Sequence, residues 1–215
     1  MPRPLPRSFY ARATVTVARE LLGCILARRV PGGEVLRARI VETEAYVGEE
    51  DKACHAKAGR TPRTDVMYGP PGVAYVYLTY GMHHLLNAVT EPEGRPAAVL
   101  IRAAEPLHGL DRMRCARGTD RPHLIASGPA RLTQAFGLDL RHNREDLRGP
   151  LLWVEPGGPV RERDVATSAR IGCQTAPAPW DATPWRWYER GSRFVTPGRV
   201  RFGETQGGKP RRHRE

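Results

Sequence analysis

The 215 residues are 40% hydrophobic and 27% charged, which fits one globular domain and excludes collagen-like, low-complexity or helical membrane-spanning chains. No apolar run approaches the ~20 residues that a span needs. The formal net charge is +11 and lysine occurs only at 52, 57 and 209, so arginine carries the charge and the expected partner is rich in phosphate.

In chain order, residues 1–12 read as a flexible Pro/Arg-rich lead-in without the apolar core of a secretory signal, so cytoplasmic residence is expected. Residues 14–22 place Val15, Val17, Ala18, Leu21 and Leu22 at helical spacing and stop at Gly23. Residues 24–30 predict a strand, Pro31-Gly-Gly33 a turn, and 35–46 a longer strand. Residues 47–72 form a long loop rich in Gly, Pro and charge, of the kind that carries function in a compact domain. Residues 73–90 predict a hairpin and 97–104 another strand. The segment 127–136 predicts a helix with Ser127 as N-cap, Pro129 in the first turn and Gly137 as the stop. Residues 150–154 suit a further strand, and beyond them Pro and Gly punctuate the chain heavily. The basic run from Lys209 to the last residue reads as a disordered tail. No repeat, coiled coil or linker divides the chain.

Cys24, Cys54, Cys115 and Cys173 are far apart and form no C-x-x-C pair, so neither zinc nor an iron–sulfur cluster is expected and the thiols should be free. No metal and no cofactor is implied.

Three features break the local rules. In the strand 35–46, a two-residue period puts Leu36, Ala38 and Ile40 on one face with Glu42, Glu44 and Tyr46, so an apolar row turns acidic, then aromatic. A buried carboxylate without a partner is costly, so either that end lines a pocket or Glu42 and Glu44 are surface residues on another register. Arg102 interrupts the apolar strand 97–104, and a buried guanidinium calls for an anion, Glu44 or Glu42. The pair is either a structural ion pair or a general base held ionised at a pocket edge.

The hairpin tip is the second anomaly. It carries Tyr80, Gly81, Met82 and His83 where a small polar pair is usual, and reads either as a wedge between stacked bases or as side chains tucked onto the core. Tyr77 and Asn87 on its two arms could face the Glu44 pocket, where an aromatic face suits a planar base and an amide tests its edge. The loop is the third: Arg60, Thr61 and Arg63 suit phosphate contacts or a solvated basic surface.

The chain resembles the alkyladenine (3-methylpurine) DNA glycosylases from about residue 18 to about 195. The carriers are Ile40-Val-Glu-Thr-Glu-Ala-Tyr46, Asp51 with His55, Gly59-Arg-Thr-Pro-Arg63, Tyr75-Val-Tyr77, Tyr80-Gly-Met82, Asn87, Leu100-Ile-Arg-Ala103 with Glu105-Pro106, Gly128-Pro129, Ala169-Arg-Ile-Gly172 and Trp185-Arg186. The resemblance implies an α+β fold, a single mixed domain spanning 13–203 with a curved antiparallel sheet, peripheral helices and a protruding hairpin, flanked by the lead-in 1–12 and the tail 204–215. It implies that Glu44 is the general base, with Arg102 and the Ile171 carbonyl placing the attacking water. Tyr46, His55 and Tyr77 would stack on the flipped base, Asn87 would limit which purines fit, and Tyr80, Met82 and His83 would fill the gap in the duplex. Thr61, Arg63 and Gly172 would meet the DNA backbone. Double-stranded DNA carrying damaged purines is the implied partner, taken by a monomer without a membrane. Positive charge on an alkylated purine would strengthen its packing between Tyr46 and Tyr77. The segment 141–163 follows no carried pattern. Two rivals remain: a carbohydrate hydrolase using Glu42 and Glu44, which sit ~7 Å apart along a strand, and a non-enzymatic module that bends DNA with its hairpin.

Overall fold

The computed structural model describes residues 3–196. A single antiparallel sheet of eight strands runs β3-β4-β5-β2-β1-β6, with β8 joined to both β2 and β7. Its strands are β1 (Ile25–Arg29), β2 (Val35–Val47), β3 (Ala74–Thr79), β4 (His83–Val89), β5 (Ala97–His108), β6 (Leu152–Glu155), β7 (Val165–Ser168) and β8 (Arg186–Glu189). Four short helices accompany it: α1 (Arg7–Tyr10), α2 (Thr14–Glu20), α3 (Leu110–Arg117) and α4 (Pro129–Phe136). The α+β expectation holds. No described helix is long and apolar enough to cross a membrane.

The strands are long where the sequence is branched and apolar, and the tight turn between β1 and β2 uses left-handed Gly32 and Gly33. One sheet face packs on the helices. Val17, Ala18, Ile40, Val76, Val99, Leu132 and Phe136 are among the residues of that main core. The other face carries a smaller cluster, Cys54, Ala56, Val66, Met67, Tyr75, Val89 and Ala98, built where the loop 48–72 folds back on β3, β4 and β5. That loop contains two 3-10 turns, His55–Ala58 and Asp65–Tyr68.

Several details differ from expectation. Leu5 and Tyr10 are buried in the main core, so the described part of the lead-in, residues 3–12, is tied to the packed domain. The helix at 129–136 starts from Gly128, and Ser127 uses its oxygens to accept from Arg131 instead of capping. β5 runs past Ala104 through Pro106, whose missing N–H falls beside a register shift opposite Ala38. α3 gave no sequence signal because only Met113 of its eight residues is buried. The tail 204–215 lies outside the described residues.

Candidate active site

Two irregularities in one strand pair build the site. Along β2 and β5, Ile40 pairs with Ala104 and Glu42 with Ala103, which leaves Val41 as an extra residue. Thr43 then pairs with Ile101, which leaves Arg102 as an extra residue on the other strand. A one-residue bulge exchanges the two faces beyond it. Leu36, Ala38 and Ile40 therefore join Ala45 in the main core, and Thr43 donates its hydroxyl to the Ala18 carbonyl of α2 at 2.7 Å. Glu42, Glu44 and Tyr46 turn to the opposite side. The single continuous face expected from the two-residue period is thus replaced by a phase change at Val41.

Glu44 is fully buried. Its Oε2 accepts from Arg102 Nη1 at 3.0 Å and from the Tyr46 hydroxyl at 2.8 Å, and its Oε1 accepts from the Ile171 N–H at 2.7 Å. Three donors and no competing acceptor are the surroundings of a carboxylate. Such a group offers about four acceptor positions, so among the described residues one position on Oε1 remains open. Glu42, also fully buried, accepts from Arg102 Nε at 3.2 Å, Arg186 Nε at 2.6 Å and the Thr196 N–H at 2.7 Å. Two carboxylates and two arginines thus close a neutral network, and Arg102 is fixed on both sides.

In front of Glu44 lies a cavity of about 560 Å³. Its lining includes Tyr46, His55, Tyr77, Tyr80, Asn87, Arg102, Ile171 and Gly172. Eight residues from β2, β3, the turn after it, β4, β5, the loop and the 169–175 segment therefore converge. The volume falls in the range of small-molecule sites, ~300–1,000 Å³. Glu44 itself stands directly behind the wall formed by Tyr46, Arg102 and Ile171. The Ile171 carbonyl accepts no hydrogen bond among the described residues.

The aromatic walls are held from behind. Arg170 is buried, forms a bidentate pair with Asp51 at 2.5 and 2.9 Å, and stacks 4.8 Å from the Tyr46 ring. Arg63 lies 5.0 Å over the Tyr77 ring and 3.4 Å from His55 Nε2. Because guanidinium only donates, Nε2 must accept, and Nδ1–H donates to the Tyr75 hydroxyl at 3.0 Å. Burial, then Arg63 and Lys57, push the His55 pKa down to about 4, so the ring is neutral. Burial holds the Tyr46 and Tyr77 phenols well above their ordinary range, so both stay protonated. Asn87 is buried and donates one amide N–H to the Tyr75 carbonyl at 3.0 Å, which fixes its orientation.

Of the remaining expected residues, Tyr80 reaches the cavity rim, while Met82, His83 and Thr61 lie apart. Tyr80 and Met82 are 88% and 70% exposed at the turn between β3 and β4. Met82 and His83 border a separate groove beside α4. The Thr61 N–H and hydroxyl both bond Thr64 Oγ1 within the loop. Sequence reasoning gave no role to Cys54 and Cys173, which also line the cavity; Cys173 Sγ is 3.7 Å from the Tyr46 hydroxyl. It also missed the roles of Asp51, Arg170 and Arg186, whose partners are too distant in the chain to pair by spacing. No cluster of metal-binding side chains occurs among the described residues.

The family model for methylpurine-DNA glycosylase (MPG) matches residues 8–193. A Myxococcus xanthus protein is 51% identical over 194 residues, 90% of this chain and 94% of its own length. Proteins of Carboxydothermus hydrogenoformans (46% over 193 residues, 89% and 98% covered) and Methanocella arvoryzae (50% over 195 residues, 89% and 95% covered) are comparably similar. All three are named, provisionally, as 3-methyladenine DNA glycosylases. The chain belongs to the methylpurine-DNA glycosylase family.

Proposed function

We propose that the protein rotates an alkylated or deaminated purine out of duplex DNA and cuts its N-glycosidic bond with a water deprotonated by Glu44, leaving an abasic site. Family membership makes it a DNA glycosylase of the 3-methyladenine type, a hydrolase of N-glycosyl bonds. The observation that carries the mechanism is the one open acceptor position on a buried carboxylate whose other three positions are filled. A water there would stand between Glu44 Oε1, the free Ile171 carbonyl and the Arg102 guanidinium.

A base inside a duplex is out of reach, so eversion comes first, at a cost of roughly a few kcal/mol that damage or mispairing reduces. Tyr80, already in solvent, offsets this by occupying the vacated stack. The everted ring enters between Tyr46 and Tyr77 and meets His55 and the Asn87 amide at its edge. As the bond stretches, positive charge grows on the deoxyribose. Glu44 stabilises it and takes the water proton as oxygen attacks C1′. Strand cleavage would need an amine nucleophile. Lys52 and Lys57 bond loop carbonyls on the surface and line no part of the cavity, which supports hydrolysis alone.

Single-turnover release from a hypoxanthine- or 7-methylguanine-containing duplex tests the role. Glu44→Gln is expected to lower the rate about 10²–10⁴-fold, the ordinary worth of a general base, with lesion binding changed only a few-fold. Retained turnover would remove Glu44 from that role.

A further inference from the structure

We infer, resting on the base-slot reading above, that Arg63 is a specificity-determining residue that sets the slot against positively charged bases. Two cations beside the cavity, Arg63 and Lys57, have no carboxylate partner among the described residues, and of the two only Arg63 lies over a wall ring. Arg102 and Arg186 are matched by Glu42 and Glu44, and Arg170 by Asp51. Arg63 forms no ion pair with a carboxylate among the described residues; its polar contact is the neutral His55 ring. Its guanidinium sits 5.0 Å over Tyr77, and it is exposed and does not line the cavity.

A tyrosine ring attracts a cation through the negative lobe of its quadrupole. On Tyr77 that attraction is already taken up by Arg63, and Tyr46 is backed in the same way by Arg170. Both walls of the slot therefore meet an incoming base with a guanidinium already attached. A neutral lesion keeps its full stacking. A cationic one, such as a purine alkylated at N7, gains less from the rings and feels the unmatched charge of Arg63. The gain expected for cationic purines from the sequence is reversed at this wall.

The test compares hypoxanthine and 7-methylguanine in one duplex context, as the single-turnover rate divided by the dissociation constant. Taking the ratio of the two lesions cancels any phosphate contact Arg63 makes, because both substrates share it. Arg63→Gln is expected to raise the 7-methylguanine-to-hypoxanthine ratio about threefold to tenfold. Arg63→Lys, which keeps the charge, should stay within about twofold of the parent. Raising salt should move the parent ratio toward 7-methylguanine and leave the Arg63→Gln ratio flat. Arg63 is exposed, so thermal melting serves as the check that both variants fold. Equal loss on both lesions, with a smaller salt slope, would make Arg63 a phosphate contact and overturn the inference. So would Arg63→Lys behaving like Arg63→Gln. If the parent released neither base, the site reading would fail, and the inference with it.

Discussion

Tyr80 adopts φ +51 and leaves 88% of its surface in solvent. A bulky residue in the left-handed region costs on the order of 1 kcal/mol or more, and such strain concentrates where a side chain has work to do. The two penalties together argue against a core role. Tyr80→Ser is expected to leave the melting temperature nearly unchanged, since nothing packs on the ring. Binding to lesion DNA should weaken about tenfold or more, the worth of one stacked aromatic of ~1–3 kcal/mol, as measured by fluorescence anisotropy. A large drop in melting temperature would point back to packing. At this scale the sequence was readable where a residue violates its surroundings: an acid in a strand, an arginine among Leu and Ile, a tyrosine at a turn. It was silent on residues whose meaning depends on a distant partner. Cys173 beside the Tyr46 hydroxyl is one, and the tautomer that Arg63 imposes on His55 is another.

Among the elements, the two adjacent bulges matter most. Had β2 kept a strict two-residue alternation, Glu44 would share the core face of Leu36, Ala38 and Ile40, with no cavity in front of it. The acidic row was visible in the sequence, but its face was not, because a bulge leaves no mark in a pattern of branched and small residues. Helix α3 escaped notice for a related reason: a mostly exposed helix shows no apolar stripe. The Asp51–Arg170 pair acts as the fastener between elements, tying the root of the 48–72 loop to β2 through the Ala45 carbonyl and to the Trp180 carbonyl. Removing one partner of a buried pair strands the other. Asp51→Ala should therefore destabilise the protein by about 3–5 kcal/mol in urea unfolding. Adding Arg170→Met to it should recover much of the loss, because no charge is then left buried alone. Equal instability of the single and double variants would show that packing around Arg170, rather than its charge, holds the loop.

For the molecule as a whole, the charge of +11 implies that phosphate neutralisation dominates affinity for DNA. The logarithm of the association constant should fall linearly with the logarithm of salt concentration, with a slope of about −0.9 for each phosphate contacted. A flat response would contradict a DNA partner. Much of the arginine is already engaged in ion pairs, such as Arg12 with Glu20 and Arg144 with Asp65, so the slope should count far fewer contacts than there are arginines. Composition alone could not reveal this, because it counts charges without their neighbours. The antiparallel sheet with few helices was legible from strand signals at short spacing. The course of the chain after β6 was not, since β7 and β8 are only four residues each among frequent prolines and glycines.

β8 is late in the chain, yet its Arg186 and the nearby Thr196 N–H supply two of the three donors that hold Glu42. During synthesis Glu42 emerges early and waits for 154 residues before its last support, the Thr196 N–H, is made. A polypeptide shortened before Arg186 would lack two of those three donors, so the carboxylate that steadies Arg102 from one side would itself lose its anchors.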